Sequence, residues 1–237
     1  MTLNVTIEPR AVPQPATVPS RPGRRAARRA LKAVALCAAA ILVGNLAILA
    51  ASLVAQGSTA KARIHEIPGI DHLEAVDGKL WRGGAPSPAG YRGLAAAGVT
   101  TVIDLRAEVG IEPDLDYARS LGLDVVHMPI RDGQTPTVEQ VETFLQVTEQ
   151  AGGPVFVHCG AGVGRTGTMV GAYLVSTGEL NGRGAVRRNL AVGPPSLEQV
   201  MFVATLQRGE IARPGPAVRA VSRVLDAPRR TWHLLGL

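Results

Sequence analysis

Aromatic residues make up only 3% of the 237-residue chain, and cysteine occurs twice. Two cysteines exclude a disulfide-framed mini-domain and any Cys₄ or Cys₂His₂ zinc site. The five histidines, His65, His72, His127, His158 and His233, show no HExxH spacing, which argues against a zinc protease. Nor is there a basic face with interleaved aromatics of the kind that binds nucleic acid. What is present is 46% hydrophobic residues, 27 glycines and 17 prolines. A packed core is therefore expected, built from Val, Leu, Ala and Ile, and wholesale disorder is excluded. The length suits one ordinary domain with tails.

The formal charge of +6 is unevenly placed. Residues 1–32 hold seven basic side chains and one acid, a net of +6, and residues 208–237 hold six arginines and two acids, a net of +4. The part between carries 12 basic and 16 acidic residues, a net of −4, so the globular region is mildly acidic. Residues 1–32 read as a flexible basic arm. Residues 33–55 follow as an uncharged stretch whose polar members are Asn45 and Ser52. As a helix it reaches about 35 Å, enough to cross a hydrocarbon core of about 30 Å. It is expected to be a transmembrane helix or signal anchor, with a buried Ala-rich helix as the alternative. Gly57 or Ala60 would suit a signal peptidase if the segment were cleaved. The positive-inside rule places the N-terminus in the cytoplasm and the remainder outside it. The tail, 211–237, mixes Val218, Val221, Val224 and Leu225 with arginines. It reads as an amphipathic membrane-surface segment, or else as a solvated tail or a helix packed on the domain.

From His72 onward strands and helices alternate. Leu73–Val76 and Lys79–Trp81 around Asp77-Gly78 predict a hairpin with a type I′ turn. Apolar runs at Val99–Leu105, Asp124–Met128 and Pro154–His158 predict strands. Helices are expected over Pro88–Ala97, Leu115–Leu121, Thr137–Gln150 with a capping box, Thr166–Thr177, 183–191 and 196–208. This order predicts an α/β fold: one domain, about 64–210, with a central, largely parallel sheet flanked by helices.

The third strand runs into Val157-His158-Cys159-Gly160-Ala161-Gly162-Val163-Gly164-Arg165-Thr166-Gly167. A glycine-rich loop opening into a helix can turn its backbone amides to one centre and add the positive end of the helix dipole, making an anion site. A cysteine at its base would have its thiolate stabilised by the same donors. Arg165 brings a planar fork that can hold two phosphoryl oxygens. The loop thus offers a thiolate nucleophile under a bound dianion.

These residues resemble the H-C-x₅-R-[ST] signature of the protein tyrosine phosphatase superfamily. C-x₅-R alone carries little information. The preceding histidine, the glycines, the following hydroxyl and the strand–loop–helix setting make the match specific. Met128-Pro-Ile-Arg-Asp132-Gly-Gln-Thr-Pro136 is similar to the acid-bearing segment of compact dual-specificity phosphatases. Leu80-Trp-Arg-Gly-Gly-Ala-Pro-Ser87 and Val99–Arg106 look like their opening segments, and Arg188 with Ser196–Phe202 like their closing helices. The resemblance covers about 79–207.

The resemblance implies Cys159 as nucleophile and Arg165 as phosphate and transition-state ligand. It implies a phosphate cradle from the amides of Gly160, Ala161, Gly162, Val163, Gly164 and Arg165. Asp132 becomes the general acid on a mobile loop, with Asp104 and Asp114 as rivals; Asp104 reads more simply as a strand-end partner of Arg106. Thr166 becomes the hydroxyl that helps the thiolate leave, and His158 a structural support. No metal or cofactor is implied.

The implied activity is hydrolysis of phosphomonoesters, phosphotyrosine and also phosphoserine or phosphothreonine in proteins, through a phosphocysteine. Alternatives are a lipid or small-molecule phosphate-ester phosphatase of the same chemistry, a non-catalytic phosphate-binding module, and a rhodanese-like sulfurtransferase. The loop has no lysine, unlike phosphoinositide phosphatases of the superfamily, and the expected pocket is shallow. The partners expected are a phosphorylated protein or small phosphate ester, and a membrane through 33–55, with no nucleic acid.

Overall fold

The computed structural model describes residues 24–58 and 67–227. Residues 1–23, 59–66 and 228–237, and with them the expectations for most of the arm and for the end of the tail, lie outside the described residues. Two compact units are formed, Met1–Ala40 and Ile41–Leu237. Of the first, the described part is the leading portion of helix α1 (Arg24–Ser58). Its stretch Leu31–Gly57 is 27 residues long with a mean hydropathy of 2.4. The helix starts nine residues before the expected span at Ala33, because Arg and Ala are strong helix formers and nothing between Arg24 and Ala33 stops it. The arm is shortened accordingly: residues 24–32 are helical.

In the second unit, β1 (Glu74–Ala75) pairs antiparallel with β2 (Leu80–Gly83). The turn between them is not type I′, since neither Asp77 nor Gly78 has positive φ. Instead the Asp77 carboxylate accepts from the amides of Lys79 and Leu80, both at 2.7 Å, and from the Tyr173 hydroxyl. The aspartate's tendency to bond its own following amides decides the turn. Next come α2 (Pro88–Ala96), β3 (Thr101–Arg106), α3 (Glu112–Ser120), β4 (Asp124–Ile130), α4 (Val138–Gln150) and β5 (Val155–His158). Helices α5 (Gly164–Ser176), α6 (Gly182–Val192), α7 (Leu197–Thr205) and α8 (Pro216–Leu225) complete it.

The local signals explain the boundaries. Ser87 caps α2 ahead of Pro88, and Gly98 ends it at φ +88. Thr137 and Gln140 form the capping box of α4, and Ser196 and Gln199 form a second one on α7. The sheet order is β1-β2-β5-β3-β4, with β2, β5, β3 and β4 parallel. Successive strand residues feed opposite faces. Val102 and Phe156 pack with Tyr91, Leu94 and Val99 on one side, while Ile103 and Val157 pack with Phe144, Met169 and Phe202 on the other. The carboxyl ends of β3, β4 and β5 lie at one edge, where ligands bind in sheets of this kind.

Candidate active site

Three loops meet at that edge: 107–111 after β3, 131–137 after β4 and 159–163 after β5. Cys159 is buried at the end of β5 and is a free thiol. The loop above it is tied back by its carbonyls. Gly160 O accepts from the Ala85 amide at 2.9 Å, Ala161 O pairs with His72 Nδ1 at 2.9 Å, and Gly162 O accepts from Arg82 Nη2 at 2.6 Å. In a trans peptide the following N–H points opposite to the carbonyl. Carbonyls pulled outward therefore turn the amides of Ala161, Gly162 and Val163 to the concave side. Gly162 has φ +73, and a Cβ there would collide with the backbone of Gly83 and Gly84. No side chain caps the N-terminus of α5, so its first amides are left for an anion.

Arg165 is buried, and its guanidinium is divided. Nη1 and Nη2 donate to Glu108 Oε2 and Oε1 at 2.9 and 2.8 Å, and Nη1 also donates to Ile130 O at 3.0 Å. Nε is buried without a hydrogen-bond partner among the described residues. The Nε–Nη2 edge is therefore the one left for two phosphoryl oxygens, while Glu108 holds the other. Burial alone would lower the Arg165 pKa. The bonds to Glu108 and the charges of Cys159, Glu108 and Asp132 more than reverse this, so the cation is held firmly. Arg82 is fully buried behind the loop. Burial pulls it down to about 10, and it remains a cation at neutral pH.

Asp132 lies in the loop after β4, its Oδ1 3.6 Å from Arg165 Nη2, so it shares the site with the arginine. Asp104 and Asp114 instead pair with Arg106, at 2.8 and 3.0 Å. The loop after β4, expected to be mobile, carries three hydrogen bonds to α7 and its N-cap. Ser196 Oγ donates to Gly133 O, Gln199 Nε2 to Gln134 O, and Thr135 Oγ1 to Glu198 Oε1. Gln199 also sits against Gly164, where a Cβ would strike its side-chain amide. One residue thus braces both the acid loop and the end of the phosphate loop.

His158 is fully buried, with Nδ1 3.3 Å from its neighbour's carbonyl, Cys159 O, and its ring stacked on Phe156. Burial pushes it down to about 4 against the opposing pull of Asp104, so it is a neutral imidazole at physiological pH. The Thr166 hydroxyl is buried and has no hydrogen-bond partner among the described residues. Sequence reasoning brought Cys159, Arg165, Thr166, His158 and Asp132 to one place. It missed Glu108, His72 and Arg82, which act on the loop from 57 to 89 positions away. Only the arginine of Trp-Arg-Gly-Gly, a charge inside an otherwise apolar strand, carried a signal.

Comparison with known proteins agrees with this geometry. The chain is 39% identical over 100 residues to NAD kinase 2, chloroplastic, of Arabidopsis thaliana, covering 40% of this chain and 10% of that protein. It is 33% identical over 114 residues to the human dual specificity protein phosphatase CDC14C, covering 46% of this chain and 25% of the relative. The chain thus spans a quarter or less of these relatives' length. Among solved structures, TpbA of P. aeruginosa in complex with pTyr aligns with a TM-score of 0.50 at 19% identity, over 71% of this chain and 97% of that one. The catalytic core of the PP-IP phosphatase SIW14 of S. cerevisiae aligns with a TM-score of 0.52 at 14% identity, over 70% and 97%. These two likenesses establish the fold. Residues 63–205, more than half of the sequence, match the family described as DSP-PTPase phosphatase fused to NAD⁺ kinase, and the chain belongs to this family of dual-specificity-type phosphatases within the protein tyrosine phosphatase superfamily.

Proposed function

We propose that the protein hydrolyses phosphomonoesters through a phosphocysteine at Cys159. The observation that carries this is the unpartnered Nε–H of the buried Arg165, in the same loop as the buried Cys159 thiol, with the carbonyls of Gly160, Ala161 and Gly162 drawn outward. The Cys159 thiolate attacks phosphorus while the P–O bond to the leaving group breaks and Asp132 protonates the departing oxygen. Asp132 then takes a proton from water as the water oxygen attacks phosphorus. The S–P bond breaks, phosphate leaves, and the Thr166 hydroxyl donates to the released thiolate. Arg165 and the loop amides meet the charge on the equatorial oxygens. Glycine, alanine and valine between Cys159 and Arg165 favour a single phosphoryl group over a polyphosphorylated ring. Phosphotyrosine, with phosphoserine and phosphothreonine, in proteins is the proposed substrate class. The membrane is the proposed location, with α1 as a single span, the N-terminus cytoplasmic and the catalytic domain outside.

The test is turnover of p-nitrophenyl phosphate by the full chain in detergent with chelator present. Cys159→Ser and Arg165→Ala should abolish it, and Asp132→Asn should lower it. A folded wild-type chain that binds phosphate or vanadate but does not turn over would make the site a binding module. Turnover of a lipid phosphate far above that of phosphopeptides would move the substrate to the lipid or small-molecule class.

A further inference from the structure

Helix α8 is amphipathic in the opposite sense to a helix packed on a core. Ser222 and Asp226 face inward and are buried. The Ser222 hydroxyl accepts from the Glu198 amide at 3.0 Å and donates to Asp226 Oδ2 at 3.3 Å. Ala217, Ala220, Val221 and Val224, spaced as one helical stripe, face out, and the two valines are 52% and 53% exposed. A surface helix of a soluble domain normally turns its apolar stripe to the core. The polar anchoring of Ser222 fixes the rotation of α8 so that this stripe cannot turn inward.

Helix α8 meets α1 at Leu225, the residue that follows the stripe. The Leu225 side chain lies against Gly44, where a Cβ would be 3.2 Å from it, and Asn45 Nδ2 donates to Leu225 O at 3.1 Å. Further along, Ser52 Oγ donates to Leu190 O at 2.7 Å. Asn45 and Ser52 thus bond carbonyls at the ends of domain helices, Gln56 Nε2 donates to Ser52 Oγ, and Leu42, Leu46, Leu49 and Leu53 remain outward. With Ser52 at the level of the membrane surface, Asn45 and the end of α8 lie about 10 Å deeper, within the depth at which interfacial helices sit. The only acid of α8 and its flank, Asp226, is turned inward, whereas Arg213 and Arg223 are exposed.

We infer that α8 is a second membrane contact, lying in the interface of an anionic bilayer beside α1 with Val221 and Val224 in the acyl boundary. This rests on the reading of α1 as the membrane span. The tether supplies a high effective concentration, so a short apolar stripe suffices where it would bind only weakly alone. It also links the bilayer to catalysis, because the α7 residue that Ser222 holds, Glu198, accepts from Thr135 of the acid loop.

The experiment uses the full chain with Cys37→Ser and Cys159→Ser and one new cysteine: Val221→Cys, Val224→Cys, Leu46→Cys on α1, or the exposed α4 position Glu142→Cys. Each is labelled with an environment-sensitive fluorophore and reconstituted into phosphatidylcholine–phosphatidylglycerol vesicles with or without doxyl-labelled lipid. Doxyl lipid is expected to lower emission at positions 221 and 224 roughly twofold and to leave position 142 unchanged. Labels at 221 and 224 as wet as at 142 would overturn the inference. Blue-shifted labels that doxyl lipid does not quench would also overturn it, showing that a protein surface covers the stripe. Position 46 separates the two readings: quenching there alone leaves the span intact and removes α8 from the membrane, and no quenching at 46 removes the span itself.

Discussion

The Nη donors of Arg165 go to Glu108 and Ile130 and its Nε–H is left unpaired, and this division sets what the site can bind. Glu108 is half-exposed, so its contact is worth a modest amount. Glu108→Gln is expected to lower kcat/KM roughly three- to tenfold, the effect of losing about 1 kcal/mol of orientation of the guanidinium. Burial would raise the Glu108 pKa, but the Arg165 bonds and charge hold it below its ordinary 4.5. Its contribution is therefore complete above that value and lost as pH falls through the lowered one, which the acid limb of the pH–rate profile reads. His158 behaves similarly for a different reason. Its folded pKa, about 4, lies below the ordinary 6.5 because a buried imidazole resists charging. The unfolded chain takes up the proton first, so stability is full above pH 6.5 and falls towards pH 4, by at most about 1.4 kcal/mol per pH unit. Urea midpoints measured from pH 7.5 to 5 should show this slope, and His158→Gln should flatten it. The sequence placed His158 beside the cysteine. Glu108 was not legible, because nothing local marks a loop glutamate that pairs 57 positions away.

Among the elements, the phosphate loop depends on a backbone conformation that side chains forbid. Gly162→Ala places a methyl against Gly83 and Gly84 at a left-handed φ. The expected result is a loss of about 2 kcal/mol or more of stability, or a displaced loop, with turnover falling at least about tenfold. Thermal melts and p-nitrophenyl phosphate kinetics distinguish the two. Strand β5, the loop and α5 were readable together because they are contiguous: an apolar run, three glycines and a helical stretch follow one another directly. The bonds that hold the loop after β4 were not readable. They come from the N-terminus of α7, more than 60 positions on, which no local pattern links to this loop.

At the scale of the whole molecule, the prediction concerns α1. Its apolar stretch of 27 residues exceeds what a hydrocarbon core requires. The full chain should stay in the membrane fraction after an alkaline carbonate wash, while a chain lacking residues 1–58 should be released unless α8 alone retains it. Attachment of a membrane-impermeant thiol reagent to Glu142→Cys in intact cells reports which side the domain occupies. The long apolar helix was recognisable from hydropathy, but the bonds of Asn45 and Ser52 to Leu225 and Leu190 were not.

The sequence by itself determined the order of strands and helices, the capping box of α4, the membrane-length helix and the residues of the phosphate loop. Each of these rests on interactions within a few positions of one another, which a linear pattern records. Tertiary structure alone decided which face of α8 turns outward, which edge of Arg165 stays open, and how Arg82, His72 and Gln199 hold the loops. Those outcomes depend on groups distant in the chain that meet only when the sheet is assembled, and no local pattern specifies the partner of a buried charge or carbonyl.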